Sequence, residues 1–360
     1  MSDREIDRFF MKRCLQLAAN GKATCSPNPM VGAIVVHKGR IIGEGWHRKS
    51  GEPHAEPNAI HSVKDQSLLK ESTLYVNLEP CSHYGKTPPC ADLIIEKGIP
   101  RVVVGCLDPF PEVRGKGIAR LQAAGVDVTL GVEEAACLNI NKHFIVFHKQ
   151  KRPYIILKWA QTADGFMDIN RQPGDLNESL KISTPFTQAL VHKLRSESDA
   201  ILVGTNTAIL DNPSLTVRAW SGKHPVRAVL DRKQILPESS VLLDGSISTL
   251  AFTEGPTRKE GAVSWIHLDF SQDVIKQLLD ELYKRQIQTL LVEGGAILHA
   301  SFLRIGAWDE IHVETSSQVV GAGVAVPDLT DIAYSSQETI NYDTGSIGRK
   351  VQIFHSVEDI

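Results

Sequence analysis

The hydrophobic positions follow two periodicities, which divide the chain into helical and extended segments. Near the N-terminus, Ile6, Phe9, Phe10 and Leu17 are spaced as expected for one buried face of an opening helix. The apolar run at residues 31–36 is followed by a short His-Lys-Gly turn and a second apolar run, which predicts a β-hairpin. Helical and strand patterns then alternate along the chain. This alternation is typical of a sheet covered by helices.

The remaining elements of the first half follow from the same patterns. The segment from His54 to Val63 is predicted to be helical, since Ala55, Ala59 and Ile60 are spaced for burial. Further strands are expected over residues 74–80, 101–107 and 126–131, and further helices over 91–98, 117–124 and onward from 133.

A polar stretch at residues 148–154 is the best candidate for a domain boundary, giving domains 1–148 and 149–360. A chain of 360 residues fits two domains better than one. Near-continuous apolar runs follow the boundary, as expected for parallel strands buried on both faces, and a helical pattern covers residues 184–198. The second domain is therefore expected to be α/β. Its predicted strands lie at 154–160, 200–204, 226–231 and 288–295.

The bulk composition limits the possible partners. The formal net charge is −3, which gives no electrostatic reason to expect a nucleic acid or a membrane surface as partner. The N-terminus is charged from its third residue, and no apolar run approaches the ~18 residues that span a bilayer. All six cysteines precede residue 138, whereas the cysteines of a secreted disulfide framework would not normally be confined to one part of the chain. We expect a cytoplasmic protein with a small-molecule partner.

Two short segments carry residues suited to a metal. His54 and Glu56 stand at the start of a predicted helix, and Cys81 and Cys90 flank an eight-residue loop that leads into another. One imidazole and two thiolates suit Zn²⁺, and three protein ligands leave a fourth position open for water. Zinc lowers the pKa of such a water to about 7. Glu56 could then take the proton of the water and deliver it to a leaving nitrogen, as in zinc deaminases.

Other interpretations of these residues stay open at this point. A structural zinc site would need a fourth ligand, for which His47, His61 and His83 are the nearby candidates, and the protein would then be a binding module. A nucleoside or tRNA deaminase with an accessory nucleotide-binding domain is the alternative among enzymes. That alternative predicts a Cys-x-x-Cys spacing, whereas the two cysteines here are separated by eight residues.

The motifs HAEPNAI (54–60), PCSHYGKTPPC (80–90) and SPNPMVGAIVV (26–36) resemble the deaminase domain of the bifunctional riboflavin-biosynthesis deaminase–reductases of the RibD type. The resemblance implies a cytidine-deaminase-like, three-layer αβα fold, with Asn28 in the pyrimidine pocket. It also implies hydrolytic removal of the 2-amino group from 2,5-diamino-6-(5-phosphoribosylamino)pyrimidin-4(3H)-one. His83 and Lys86 lie in the loop between the cysteines, either as substrate contacts or as solvated loop residues.

Segments 157–167, 198–218 and 292–295 resemble the reductase domain of the same proteins. This implies a dihydrofolate-reductase-like α/β domain in which NADPH delivers hydride to C1′ of the phosphorylated sugar, yielding a ribityl chain. The resemblance places two sets of residues at the site. The cofactor set is Ala160, Lys181, Thr207, Asp211, Gly295, Ala296, Ile297, Leu298, His299, Ala300 and Ser301, and the substrate set is Ser179, Arg195, Leu215, Arg218 and Glu293.

Lys181 marks a departure from that family. Many members have Ser-Gln-Trp-Ile-Thr where this chain has Ser-Leu-Lys-Ile-Ser at residues 179–183, so a lysine replaces an aromatic side chain. Arg232, after the strand at 226–231, is a candidate partner for the 2′-phosphate of NADPH. A symmetric homo-oligomer is the default expectation for a soluble enzyme.

Overall fold

Helices and strands form where the hydrophobic pattern predicts them. The structure, a computed structural model, describes residues 2–22, 24–82, 88–110, 114–173, 175, 178–343 and 348–357. The chain divides into two compact units, Met1–Lys151 and Arg152–Asp359, each described separately below. This division lies beyond the predicted boundary at residue 148, because helix α6 (Lys142–Gln150) continues past that residue. The helix ends where Lys151 takes a left-handed conformation, with φ of 56°.

The first unit is built on a mixed five-stranded sheet with strand order β2-β1-β3-β4-β5 in the described part of the chain. Strand β1 is antiparallel to β2 and β3, whereas β3, β4 and β5 are parallel. The strands are β1 (Gly32–His37), β2 (Arg40–Trp46), β3 (Ser72–Leu78), β4 (Arg101–Cys106) and β5 (Asp127–Leu130); the other helices are α1 (Asp3–Ala18), α2 (Ala55–Ser62), α3 (Cys90–Glu96), α4 (Lys116–Ala123) and α5 (Glu134–Ile140).

The alternation of side chains along the strands produces three layers. Ile34 and Val36 of β1 pack with α1 and α5 on one face, and Ala33 and Val35 pack with α2, α3 and α4 on the other. The predicted hairpin is confirmed, and Lys38 and Gly39 both take positive φ at its two-residue turn.

The prediction was wrong for one residue of the buried face of α1, Phe9. Phe9 is 63% exposed, whereas Phe10 and Leu17 are buried and Ile6 is half-buried. The buried stripe of α1 runs instead through Asp7, Phe10, Met11, Cys14, Leu17 and Ala18, with the 3–4-residue spacing of one helix face, and Phe9 lies outside it.

The second unit is built on a ten-stranded sheet, order β11-β12-β10-β9-β8-β13-β6-β14-β17-β16, in the described residues. Its strands are β6 (Tyr154–Gln161), β7 (Phe166–Asp168), β8 (Ala200–Gly204), β9 (Val226–Leu230), β10 (Thr249–Thr253), β11 (Arg258–Glu260), β12 (Val263–His267), β13 (Thr289–Val292), β14 (Glu310–Ser316), β15 (Val324–Ala325), β16 (Tyr334–Asp343) and β17 (Gly348–Ser356), of which β7 and β15 form a separate pair. The helices are α7 (Pro185–Glu197), α8 (Thr205–Asp211), α9 (Val274–Lys284) and α10 (Ala296–Arg304), and short 3₁₀ turns cover Ala19–Gly21, Gln66–Glu71 and Val241–Leu243 of the chain.

The centre of this sheet determines where a site can form. Strands β9, β8, β13, β6 and β14 are mutually parallel, so their carboxyl ends share one edge. The four predicted apolar runs become β6, β8, β9 and β13, whereas β14 was not predicted. Open α/β sheets bind ligands in the crevice at that edge. None of the helices in the described residues has the length and apolar character needed to cross a bilayer.

Candidate functional site

His54, Cys81 and Cys90 come together in the first unit. The Nδ1 atom of His54 lies 3.6 Å from Sγ of Cys81 and 3.4 Å from Sγ of Cys90, and the three ligand atoms all lie within 4.8 Å of one another. One imidazole nitrogen and two sulfurs at this spacing fit Zn²⁺. The predicted set of three is therefore assembled in the structure.

The ends of three elements produce this grouping. His54 is the N-cap residue of α2, Cys81 follows the buried strand β3, and Cys90 is the first residue of α3. The backbone N–H of Cys90 donates to Sγ of Cys81 at 3.3 Å, and the N–H of Ala91 donates to the carbonyl of Cys81 at 3.1 Å. The start of α3 therefore holds both cysteines in register.

The cluster favours the charged form of one thiol. Hydrogen bonding with Cys90 lowers the pKa of Cys81 below its ordinary value, and hydrogen bonding with Cys81 raises the pKa of His54 to about 9. The lowered pKa favours the thiolate of Cys81, which is the form that binds a metal.

Glu56 lies on the first turn of α2 and is buried. Burial raises the pKa of its carboxyl group to about 7, although the charge of His54 opposes the rise. The same carboxyl group hydrogen-bonds the Cys90 thiol, which places it against the cluster. A carboxyl group with a pKa near neutrality can both accept and release a proton.

The predicted pyrimidine-pocket residue, Asn28, lies next to His47. Its Nδ2 atom is 3.0 Å from Nε2 of His47. Two buried asparagines hold the backbone that follows: Asn141 Oδ1 accepts from Met30 N–H at 2.8 Å, and Asn77 Nδ2 donates to the Met30 carbonyl at 3.1 Å. Neither of these two positioning side chains was predicted from the sequence.

Glu79, also missed, fixes the loop behind Cys81. Its buried carboxylate accepts backbone N–H bonds from Gly115 and Gly117, both at 2.9 Å, and longer ones from Asp108 and Ile118 at 3.3 Å. An ionisable residue at the buried end of an apolar strand was the available sequence signal.

The candidate fourth ligands do not complete the cluster in the described residues. His47 packs edge-on against the ring of His54 at 5.5 Å, with its own nitrogens directed to Asn28 and the Pro53 carbonyl. His61 is exposed at the end of α2. His83 and Lys86 lie outside the described residues.

In the second unit, the structure pairs two of the predicted substrate residues. Arg195 on α7 donates from Nε and Nη2 to the two carboxylate oxygens of Glu293, at 2.8 and 2.6 Å. The side chains are only 13% and 10% exposed. Burial alone would raise the pKa of Glu293, but the Arg195 guanidinium outweighs it and holds that pKa below its usual range. Glu293 is therefore a buried carboxylate at the carboxyl end of β13.

Arg218 and Leu215 belong to the same cluster through Thr216. The Thr216 carbonyl accepts from Arg195 at 3.1 Å, and its hydroxyl accepts from Arg218 at 3.1 Å. Leu215 is buried, with φ of 52°. The loop that contains Leu215 and Thr216 is also held by Arg227, a fully buried arginine on β9 that donates to the Ser214 carbonyl at 3.0 Å. Arg227, a charged residue inside the apolar run at 226–231, was the available sequence signal and was not predicted.

The Gly-Gly turn after β13 packs against β8. A Cβ on Gly294 would lie 2.7 Å from Cα of Val203, and one on Gly295 would lie 3.3 Å from the Thr207 hydroxyl. The turn thus brings Thr207 to the start of α10. The predicted cofactor residues on α10 differ in exposure: Ile297 is 76% exposed, Ala296 and Ser301 are half-buried, Ala300 is exposed, and Leu298 and His299 are buried.

Asp211, another predicted cofactor residue, is bonded to the segment after β7. Arg171 bridges Asp168, at 2.7 Å from Nε, and the predicted cofactor residue Asp211, at 2.5 Å from Nη2. Asp168 also accepts the Leu180 N–H at 2.8 Å, which draws the neighbours of that residue toward α8. Both neighbours of Leu180, Ser179 and Lys181, are exposed, and the ammonium of Lys181 lies 2.7 Å from Glu178. Elsewhere in the unit, Ala160 is half-buried on β6, and Arg232 is paired with Glu254 at 2.8 Å.

These features define a class of protein: a deaminase unit with a three-residue zinc-type site, joined to an α/β unit whose mixed sheet is parallel at its centre and which resembles reductases. Comparison with protein families agrees. Residues 4–106 match the cytidine and deoxycytidylate deaminase zinc-binding region, and residues 153–345 match the RibD C-terminal domain.

Whole-chain relatives are more specific. The riboflavin biosynthesis protein RibD of Aquifex aeolicus is 42% identical over 335 residues, covering 91% of each chain. That of Escherichia coli is 35% identical over 358 residues, covering 92% of this chain and 94% of its own. The chain therefore belongs to the RibD family of bifunctional deaminase–reductases of riboflavin biosynthesis.

Solved structures agree with this membership. A diaminohydroxyphosphoribosylaminopyrimidine deaminase/5-amino-6-(5-phosphoribosylamino)uracil reductase from Thermotoga maritima superposes with a TM-score of 0.85 at 35% identity, covering 98% of this chain and 99% of its own. Acinetobacter baumannii RibD gives 0.84 at 30% identity, covering 98% and 100%. The predicted fold class, bifunctional activity, and zinc and NADPH as cofactors are confirmed. The alternatives of a nucleoside or tRNA deaminase and of a binding module are not supported.

Proposed function

We propose that the chain deaminates 2,5-diamino-6-(5-phosphoribosylamino)pyrimidin-4(3H)-one and then reduces the ribosyl group of the product to ribityl phosphate. The observation that carries the first step is the grouping of His54, Cys81 and Cys90 against the buried carboxyl group of Glu56. We assign deamination to residues 1–148 and reduction to residues 149–360.

In the first step, His54, Cys81 and Cys90 would hold zinc, which when bound activates water as a Lewis acid. Glu56 takes a proton from the attacking water and delivers it to the departing 2-amino nitrogen. The water oxygen becomes bonded to C2, the bond from C2 to the exocyclic amino nitrogen breaks, and ammonia leaves. Asn28 binds the pyrimidine edge beside the reacting carbon.

In the second step, NADPH supplies the hydride. Glu293, kept ionised by Arg195, accepts hydrogen bonds from the sugar hydroxyls, while Arg218 binds phosphate and Ser179 and Leu215 complete the substrate side. The cofactor side consists of Ala160, Lys181, Thr207, Asp211 and the segment from Gly295 to Ser301. Thr207 and Gly295 support this arrangement because they adjoin at the carboxyl edge of the sheet.

The test is to incubate zinc-loaded protein with the diaminopyrimidine ribotide, with and without NADPH. Ammonia release is expected in both cases, and NADPH oxidation only after deamination. Glu56→Gln should abolish ammonia release while leaving the reduction of supplied deaminated substrate intact, because the carboxyl group belongs to the first site alone. Absence of ammonia from the zinc-loaded wild type would overturn the assignment.

Two further properties belong to this proposal. We place the enzyme in the cytoplasm, as the distribution of its cysteines suggests, and we expect a symmetric homo-oligomer. Light scattering coupled to size-exclusion chromatography would measure the oligomer, and a monomer at working concentrations would contradict it.

A further inference from the structure

His47 is a buried histidine with a direct bond to the predicted pyrimidine-pocket residue. It is 2% exposed, and its backbone N–H donates to the Val31 carbonyl at 2.8 Å. On the ring, Nδ1 lies 3.2 Å from the carbonyl oxygen of Pro53, and Nε2 lies 3.0 Å from Nδ2 of Asn28. Each ring nitrogen therefore has one defined partner.

The chemistry of these partners fixes the tautomer. A carbonyl oxygen can only accept, so the proton of the neutral ring must lie on Nδ1, facing Pro53. Nε2 then carries a lone pair, and the group that meets it must donate. The amide of Asn28 has one donor end and one acceptor end, so its NH₂ end is held against His47.

We propose that His47 is a positioning residue that sets the orientation of the Asn28 amide and thereby the hydrogen-bond character of the pyrimidine pocket. With its NH₂ end held by His47, Asn28 offers the substrate its carbonyl oxygen, an acceptor. An acceptor matches a pyrimidinone edge bearing a ring N–H or an amino group and disfavours one bearing a ring lone pair. This inference rests on the proposed deamination and names the feature of the substrate that is recognised.

The experiment is a double-mutant cycle on the zinc-loaded full chain. His47→Leu removes both ring nitrogens, and we expect it to lower the deaminase kcat/KM by about 10- to 100-fold, with most of the loss in KM. His47→Gln carries one donor and one acceptor, so it should recover most of that loss. In the Asn28→Ala background, His47→Leu should change kcat/KM by less than about 2-fold, because its target is gone.

Three results would overturn the proposal. One is an equal loss from His47→Leu in both backgrounds, and another is loss of bound zinc in His47→Leu, since the ring would then act through His54. The third is independent of activity: a long-range ¹H–¹⁵N spectrum of the zinc-loaded protein showing the proton of His47 on Nε2. If wild type releases no ammonia, the proposed function fails, but the tautomer measurement still decides the role of His47.

Discussion

Replacing Arg195 by methionine tests how the second unit keeps the Glu293 carboxylate ionised. The guanidinium makes two short bonds to the carboxylate, and both side chains are nearly buried. Methionine fills similar space but leaves a buried charge without its partner. Removing one member of a buried pair costs about 3–5 kcal/mol. For a unit of this size, that corresponds to a fall in melting temperature of about 6–20 °C at neutral pH.

The dependence on pH follows from the direction of the pKa shift. In the wild type the pKa of Glu293 is depressed, so its contribution to stability is present above the unfolded pKa and is lost as the pH falls through the folded pKa. Without Arg195, burial dominates and raises that pKa above its usual value. The penalty of the variant is then largest above the raised pKa, declines as the pH falls through it, and disappears below the unfolded pKa.

The assay is thermal unfolding of the full-length protein at several pH values, following the transition of the second unit. Arg195→Met/Glu293→Gln is the matched control, because it removes the stranded charge while keeping the shape of both side chains. We expect the single variant to be less stable than the double variant at pH 8, with the gap narrowing toward pH 5. Equal stability at pH 8, or a gap that does not change with pH, would refute the reasoning.

Two further predictions concern the two units separately. Chelation of zinc, or Cys81→Ser, should stop ammonia release and leave NADPH-dependent reduction of supplied deaminated substrate unchanged; a parallel loss of both activities, measured by the two assays, would argue against independent sites. Gly294→Ala should destabilise the second unit by about 1–3 kcal/mol, because its Cβ would lie 2.7 Å from Cα of Val203. Gly204→Ala is the control: its Cβ would meet Cβ of Leu298 at 3.9 Å, so only the weaker capping of α8 by alanine lowers its melting temperature, and an equal fall in both variants would contradict the steric account.

The metal cluster could be predicted because its ligands lie at the starts of two helices that the local pattern identifies. His54 and Glu56 are two residues apart, and Cys81 and Cys90 bracket one loop, so few long-range contacts had to be inferred. The five strands of the first sheet and four strands of the second, β6, β8, β9 and β13, were predictable for a similar reason, since burial on one face or two leaves a distinct periodicity. The other strands of the second sheet were not predicted.

The pairings inside the second unit could not be predicted in the same way. Arg195 and Glu293 are 98 residues apart, and the ion pair of Arg171 with Asp211 spans 40 residues. Such partners are selected by tertiary packing, which periodicity does not encode. The exposure of Phe9 is a local version of this limit, because adjacent aromatic residues cannot both lie on one helix face.

The separation between the start of α2 and the loop before β1 has a consequence for engineering. His54 and Glu56 are coupled by the first turn of α2, whereas the amide of Asn28 meets His47, and Asn77 and Asn141 hold the backbone of Met30. Recognition thus depends on a loop and reactivity on a helix, and His47 joins the two, because its ring packs against that of His54 and faces the Pro53 carbonyl. Libraries that vary the loop at residues 26–30 and keep His47 can therefore search for new pyrimidine preferences without replacing a metal ligand or Glu56.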